Sequence, residues 1–320
     1  MEYTIPQEQL EAHKNPAELS RAKISADYVA NKVMGRKEAR KHLDFDKVKG
    51  TEEKEKTQED LKTVLNNGGK GIDLTFGEAC LIYGIAYLFS QYEPHPPHIA
   101  CTEKELYQAL RDERKFDGRQ RQRLGDTLED LSKKEFPLYW TEYQMVEGKK
   151  VKTKWITFGS LFELAWGFWD DGEFQETPSR ENFELYRIEL NEKIFGRIDQ
   201  SFRMVDPNIG REIRKYRKKQ KRNGRASKYD IRLYDLLLNQ NKAVITRNYL
   251  RIAQAPMLMD NMIKNRKQRD IRDQLSDIYK MYYHMGYLTN FKIDQMGTRH
   301  KVDVLYLNPE KFYGLRDVKK

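Results

Sequence analysis

Cysteine is scarce. The 320 residues hold two, Cys80 and Cys101, and no Cys-x-x-Cys. A disulfide framework and a cysteine zinc site are therefore not expected, and a reducing compartment fits. Long apolar runs are missing too: nothing approaches the roughly 18 residues of a membrane-spanning helix. The stretch MEYTIPQEQLEAHKNP has no apolar centre, so it does not read as a secretory signal. Together these predict a cytoplasmic protein with no membrane partner. Catalytic signatures are absent as well. Gly68-Gly69-Lys70-Gly71 is too short for the phosphate loop GxxxxGK[ST], and no GxSxG elbow occurs. The histidines are His13, His42, His95, His98, His284 and His300, with no His-x-His pair. His95 and His98 flank two prolines in PHPPH, a surface loop without a companion carboxylate cluster. The expectation is a protein that is not an enzyme and has no cofactor and no metal.

What is present is positive charge, and its placement says more than its sum. There are 59 Lys+Arg against 49 Asp+Glu, a formal net charge of +10. Residues 211–228, REIRKYRKKQKRNGRASK, carry ten bases and one acid, so this segment is +9 and the other 302 residues only +1. A nearly neutral body with one cationic stretch attracts polyanions, nucleic acid first and an anionic membrane surface second. Its bland reading is a solvated linker, or in a eukaryote a nuclear signal. With 38% hydrophobic and 12% aromatic residues, the chain can also build cores.

The pattern along the chain divides it. Residues 1–70 are polar and mixed in charge, and read as a partly disordered extension. Pro16–Met34 is a candidate helix with Leu19, Ile24, Tyr28 and Val29 inward. After Gly71, Thr75 with Glu78 forms a capping box that opens a helix to about Tyr92. Its apolar positions are Ile82, Ile85, Ala86 and Phe89. Thr102 with Glu105 opens a second helix to about Arg111. Asp117 caps a third, Gly118–Lys134, with Leu124, Leu128 and Leu131 inward. LYWTEYQM and VKTKWITF around EGKK then read as a hairpin. The order recurs: Ile231–Leu238, Thr246–Ala253 and Arg266–Met285 as helices, then YLTNFKID and KVDVLYLN as a hairpin around QMGTRH. At an offset of 147, Leu124 falls on Ile271, Leu128 on Leu275, Leu131 on Ile278 and Arg119 on Arg266.

Three helices followed by a two-stranded wing is the order of a winged-helix module, whose third helix enters the DNA major groove. The predicted fold is mainly α with β-hairpin wings (α+β), two winged-helix domains in tandem. The divisions are 1–70, an extension; 71–172, the first winged helix; 173–226, a connector with a basic helix; and 227–320, the second winged helix. Helical rotation from Leu124 turns Arg119, Gln122, Arg123 and Asp126 outward; from Ile271 it turns out Arg266, Arg269, Arg272 and Asp273. Arginine donates bidentately to guanine and also binds phosphate, and glutamine suits adenine. The candidate DNA-binding residues are therefore Arg266, Lys267, Arg269 and Arg272 on the second helix and Arg119, Gln122 and Arg123 on the first. Wing residues Arg299, Lys301, Lys149 and Lys150 join them, as do Arg214, Arg217, Lys218, Lys221 and Arg222 of the basic stretch. A single amphipathic surface helix also exposes charges without binding anything; the repeat and the basic stretch together favour DNA.

The paired blocks LTFGEACLIYGIAYLF…TEKELYQAL…RQRQRLGDTLEDL…KWITF and YDIRLYDLLLN…TRNYLRIA…RDIRDQLSDIYKMYYHMGYL…VDVLYLNP resemble the plasmid replication initiator (Rep) proteins with tandem winged-helix domains. The resemblance covers roughly residues 71–320 and rests on apolar spacing. It implies binding to repeated double-stranded sequences at an origin, self-association through the first winged helix, and contact with host replication proteins. The dimer surface would then lie in 71–172. Phe162, Trp166, Phe168 and Trp169 are a candidate patch for it, although core beneath the hairpin is the favoured reading of these aromatics. A transcriptional regulator is the alternative, and a purely protein-binding scaffold a third.

Overall fold

Several helices begin where a short polar side chain closes their free backbone donors. Thr75 caps α1 (Phe76–Phe89) and Thr102 caps α2 (Glu103–Ala109), each in a reciprocal box with the glutamate three residues on. Asp117 caps α3 (Gly118–Ser132) through the Gln120 amide. A third reciprocal box, Ser227 with Asp230, opens a helix of the second half that the sequence reading started without a cap.

In the computed structural model the described residues are 22–26, 28–29, 72–92, 94–110, 115–146, 149–167, 185–196, 202–220, 225–254, 259–296 and 301–312. Strand β1 (Ala22–Ser25) precedes α1. Strand β2 (His98–Thr102) runs directly into α2, and after α3 come β3 (Phe136–Val146), β4 (Lys149–Gly159) and β5 (Phe162–Gly167). Then follow β6 (Leu185–Leu190), α4 (Glu192–Phe195), β7 (Phe202–Val205) and the basic helix α5 (Ile209–Lys219). The second half contains α6 (Lys228–Leu238), β8 (Val244–Arg247), α7 (Tyr249–Gln254), α8 (Asp260–Lys264), α9 (Gln268–His284), β9 (Leu288–Met296) and β10 (Lys301–Leu307). The chain is thus α+β with small antiparallel sheets. Among the described residues no helix is long and apolar enough to cross a membrane.

The repeat holds at its inward positions: Leu124, Leu128 and Leu131 of α3 and Ile271, Leu275 and Ile278 of α9 are all buried. The sheets around them differ. In the second half the order is β8-β10-β9, so β8 pairs with its own wing, Thr246 opposite Val304. In the first half β2 pairs instead with β6, in the sheet β2-β6-β5, and the β3–β4 hairpin stands as a two-stranded pair. Thr246, expected to start a helix, is therefore a strand residue, and the helix begins at Tyr249. Its β-branched neighbours Val244 and Ile245 suit a ladder next to β10 better than a helical turn.

Two more expectations change. The stretch 22–25 is a strand that pairs with β7, Ala22 opposite Val205, where a helix was predicted. Its apolar residues are nonetheless inward: Ile24, Tyr28 and Val29 are buried in the shared core. Part of the expected extension is thus core. Likewise Phe162 and Trp166 sit on strand β5, not at helical spacing; Phe162 is buried and Trp166 packs against the core. Phe168 and Trp169 lie outside the described residues.

Helices α1 and α6 join the halves. Every residue from Glu78 to Phe89, and from Asp230 to Leu238, is buried, as befits helices covered on all sides. The Tyr83 hydroxyl donates to Asp235, and the Tyr83 and Tyr234 rings meet edge to face at 6.0 Å. Arg232 donates to Asp73 at 2.5 Å and to the Ile72 carbonyl at 3.2 Å. Helix α5 comes equally close: Gly210 lies against Cys80 of α1, and a Cβ there would collide with the Cys80 Sγ. Gly210→Ala is expected to destabilise the chain by about 1–3 kcal/mol through overpacking, outweighing the better helix propensity of alanine. Urea denaturation measures this, and Cys80→Ala in the same chain should recover most of the loss.

Candidate nucleic-acid interface

Cations gather in two places. The first is the entry to α9. Helix α8 ends with the Arg266 amide bonded to the Ile263 carbonyl at 3.0 Å and the Lys267 amide to the Met262 carbonyl at 2.9 Å. This is a Schellman stop, in which the residue at Arg266 takes the left-handed conformation usually given to glycine. Arg266 has φ 55. The same motif ends α9, with the Gly286 amide on the Tyr283 carbonyl and the Tyr287 amide on the Tyr282 carbonyl, and there a glycine (φ 78) fills the position. At one end the chain uses the relaxed residue, and at the other it keeps an arginine at a cost of about 1–2 kcal/mol. Helix α9 then opens on Lys267 with no side-chain cap, unlike α1, α2, α3 and α6. Every residue from 264 to 269 is exposed, and Lys264, Arg266, Lys267 and Arg269 face no acid within that run. Arg269 is tied only loosely, 3.9 Å from the exposed Asp273. Lys301 is exposed at the start of β10.

Arg272 behaves differently. Its Nη1 donates to both oxygens of Asp303 at 2.8 Å, its Nη2 to Asp294, and its guanidinium lies 4.1 Å over the Tyr249 ring. Asp303 is fully buried and also accepts from the Tyr279 hydroxyl at 3.1 Å. Burial pushes its carboxyl above the ordinary range, and the Arg272 hydrogen bonds pull it back only in part. Arg272 is thus a strut that fixes β9 and β10 against α9 and α7, with only 17% of its side chain left exposed. Arg217 is likewise engaged, with Asp230 of α6 and Asp277 of α9. Burial opposes its charge, but the two carboxylates outweigh burial and hold it charged.

The second gathering is a cleft of ≈ 1220 Å³ between α5, the start of α6, and the first block. Arg211, Arg214, Lys215 and Lys218 line it from α5, Arg225 and Lys228 from the start of α6, and Arg123 from α3. Among the described residues no carboxylate lines it, although Lys228 at its edge pairs with Asp73 at 3.3 Å. Its floor is apolar: Phe76, Leu81, Tyr107, Leu110 and Leu124. The Arg214 guanidinium sits 5.6 Å over the Phe76 ring.

The predicted residues therefore divide. Arg266, Lys267 and Arg269 are exposed together at the start of α9, and Lys301 is exposed on β10. Arg123, Arg214 and Lys218 meet in the cleft, while Arg119 and Gln122 are exposed on α3. Arg217 and Arg272 serve the fold. Lys149 and Lys150 are on β4, with their side chains outside the described residues, and Lys221, Arg222 and Arg299 lie outside them altogether. Arg211, Lys215, Arg225 and Lys228 were counted in the basic stretch but not singled out; no signal in that run separates a residue facing a cleft from one facing solvent. Among the described residues no group of three His, Cys, Asp or Glu is placed to hold a metal.

No protein-family model matches the chain, and no curated protein does. Among solved structures, the crystal structure of domains 2 and 3 of RctB is similar with a TM-score of 0.45 and 12% sequence identity, over 73% of this chain and 82% of that one.

Proposed function

We propose that this chain is a sequence-specific DNA-binding replication initiator that reads origin repeats in duplex DNA. It reads through the first turn of α9, as the third helix of a winged-helix module, and Lys301 of the wing supports it on phosphates. The observation that carries this is Arg266: a long cation held in a glycine conformation, at the uncapped start of a helix, between Lys264, Lys267 and Arg269. Helix N-termini favour phosphate, and arginine supplies a bidentate donor to guanine. A helix start rich in exposed cations matches a polyanion better than it matches a protein groove, whose centre is depleted of charge. The tandem blocks and the basic helix favour an initiator over a regulator, because two modules on one chain can grip successive segments of a duplex. The first block is assigned to self-association, with host replication proteins as further partners, and the chain is assigned no catalytic step of its own.

The experiment has two stages. Fluorescence anisotropy with duplexes from the gene's flanking repeats should show binding that weakens steeply with salt, the slope of log affinity against log salt falling by about 0.9 for each phosphate engaged. A plasmid carrying only this gene and those repeats should then replicate. Salt-insensitive binding would overturn the duplex reading; binding without replication would leave the regulator.

Arg266 gives a sharper check. Arg266→Gly is expected to raise stability by about 0.5–1 kcal/mol, by releasing the left-handed strain, while weakening duplex binding. Arg266→Ala, which keeps the strain, should weaken binding with no such gain in the urea midpoint.

A further inference from the structure

The basic stretch contains one acid, Glu212, in the first turn of α5. Its side chain is half-buried, and its Oε2 is buried with no hydrogen-bond partner among the described residues. A second carboxylate, Asp206, stands beside it where β7 passes into α5. Asp206 is well supplied with donors. Its Oδ1 accepts from the Asn208 amide and its Oδ2 from the Tyr287 hydroxyl, both at 2.8 Å. Two such bonds favour the ionised form. Glu212 hydrogen-bonds the same Tyr287 side chain. A phenol has one proton to give, and Asp206 receives it. Glu212 can then meet that oxygen only as a donor, and for that it needs a proton of its own.

The surroundings favour that proton. Burial pushes the Glu212 carboxyl up, and the neighbouring Asp206 charge pushes it further; the Tyr287 bond, Lys311 and Arg211 pull it down only in part. Tyr287 is itself fully buried, and its burial keeps the hydroxyl protonated. We propose that Asp206 and Glu212 share one proton around Tyr287, held on Glu212, and that this acid pair is a pH-sensitive latch on the start of the basic helix α5. With the proton in place, Tyr287 ties the first turn of α5 to the turn between α9 and β9. Asp206 ties it to α6, its amide donating to the Tyr234 hydroxyl at 2.7 Å. When the proton leaves to water, two carboxylates face one phenol, and their repulsion loosens the turn. The same proton cancels the one negative charge of residues 211–228. Acid therefore seats α5 and strengthens its pull on a polyanion together. The latch uses none of the α9 residues assigned to reading a duplex.

The sign of the effect is definite. Unfolded, Glu212 titrates as an ordinary carboxylate; folded, it titrates at higher pH. The folded state is therefore penalised as pH rises from the ordinary carboxylate range through the raised value, and the penalty is constant above it. The test compares urea midpoints of the full-length chain and of Glu212→Gln from pH 4.5 to pH 8.5. The amide stands in for the protonated acid, so the two midpoints should coincide at the acid end, and the wild type should fall behind as pH rises. In an Asp206→Asn background the gap should shrink by half or more. Hydrogen exchange, corrected for intrinsic rates, gives the local readout. Between pH 6 and pH 8, protection of the 209–219 amides should drop at least threefold in the wild type relative to Glu212→Gln, while the same ratio in α3 stays level. The latch is overturned by a gap that is equal at every pH, by a wild type that gains on the glutamine chain as pH rises, by a gap that Asp206→Asn leaves intact, or by equal exchange of α5 in the two chains. None of these readouts involves DNA, so the latch and the duplex reading stand or fall separately.

Discussion

Arg272→Ala is expected to damage the fold of the second half and to reach DNA binding only through that damage. The substitution strips a buried carboxylate of its charged partner: among the described residues Asp303, fully buried, keeps the Tyr279 hydroxyl and the Asp294 amide at 3.3 Å. Breaking a buried pair from one side typically loses about 3–5 kcal/mol, a large share of the roughly 5–15 kcal/mol by which domains are stable. The stacking on Tyr249 goes as well. The pH dependence has a definite sign. The Asp303 carboxyl already sits above its ordinary range through burial, and Arg272 is what draws it down. Without Arg272 it rises further. The folded state then favours the protonated acid more strongly, so the deficit is greatest at neutral pH and shrinks as pH falls towards the raised value. Urea midpoints at pH 7 and pH 5 measure both effects. An unchanged midpoint with duplex affinity lost would make Arg272 a reader and sink the strut.

The opposite outcome is expected for Arg266→Ala combined with Lys267→Ala and Arg269→Ala. All three side chains are exposed at the start of α9, and Arg269 approaches the exposed Asp273 at 3.9 Å. Surface changes of this kind usually stay within about 0.5 kcal/mol of wild-type stability. Binding should change far more. A well-placed bidentate contact discriminates by about 1–3 kcal/mol per base pair, so losing two arginines lowers affinity for the preferred repeat by roughly a hundredfold or more. If the three cations also sit on phosphates, the salt slope flattens by up to about 2.7. Anisotropy on specific and scrambled duplexes separates the two contributions: the specific duplex should fall to the level of the scrambled one. Full sequence preference in the triple variant would remove α9 as the reading helix.

Local signals were easy to read. Thr75, Thr102 and Asp117 bond to amides three residues away, so their caps are written in adjacent letters, and all three start the helices expected of them. The inward leucines and isoleucines of α3 and α9 follow from the helical period alone. Strands were harder. β2 and β6 are separated by more than eighty residues and pair only because the first block leaves β2 without a place in its own hairpin sheet; no local pattern in HIACT announces that. Ala22–Ser25 misled for the same reason, since a short apolar stretch fits a helix or a strand and its partner β7 decides.

The arginines mark the boundary most clearly. By itself the sequence determined that the excess positive charge lies in residues 211–228, that the third helix of each block turns its apolar side inward, and that arginines flank that side. It could not say what those arginines would meet. Arg272 stands one residue from the buried Ile271, about 100° around the helix, a position from which a long side chain can reach solvent or a neighbouring element. Asp294 and Asp303 of the wing are there to meet it. Arg217 finds Asp277 sixty residues on, and Arg123 finds α5 across a cleft. Helical period fixes the direction of a side chain, because it is set by local backbone geometry. Whether a cation holds the fold together or remains open to a polyanion depends on carboxylates far away in the chain, and only the tertiary structure brings those within reach.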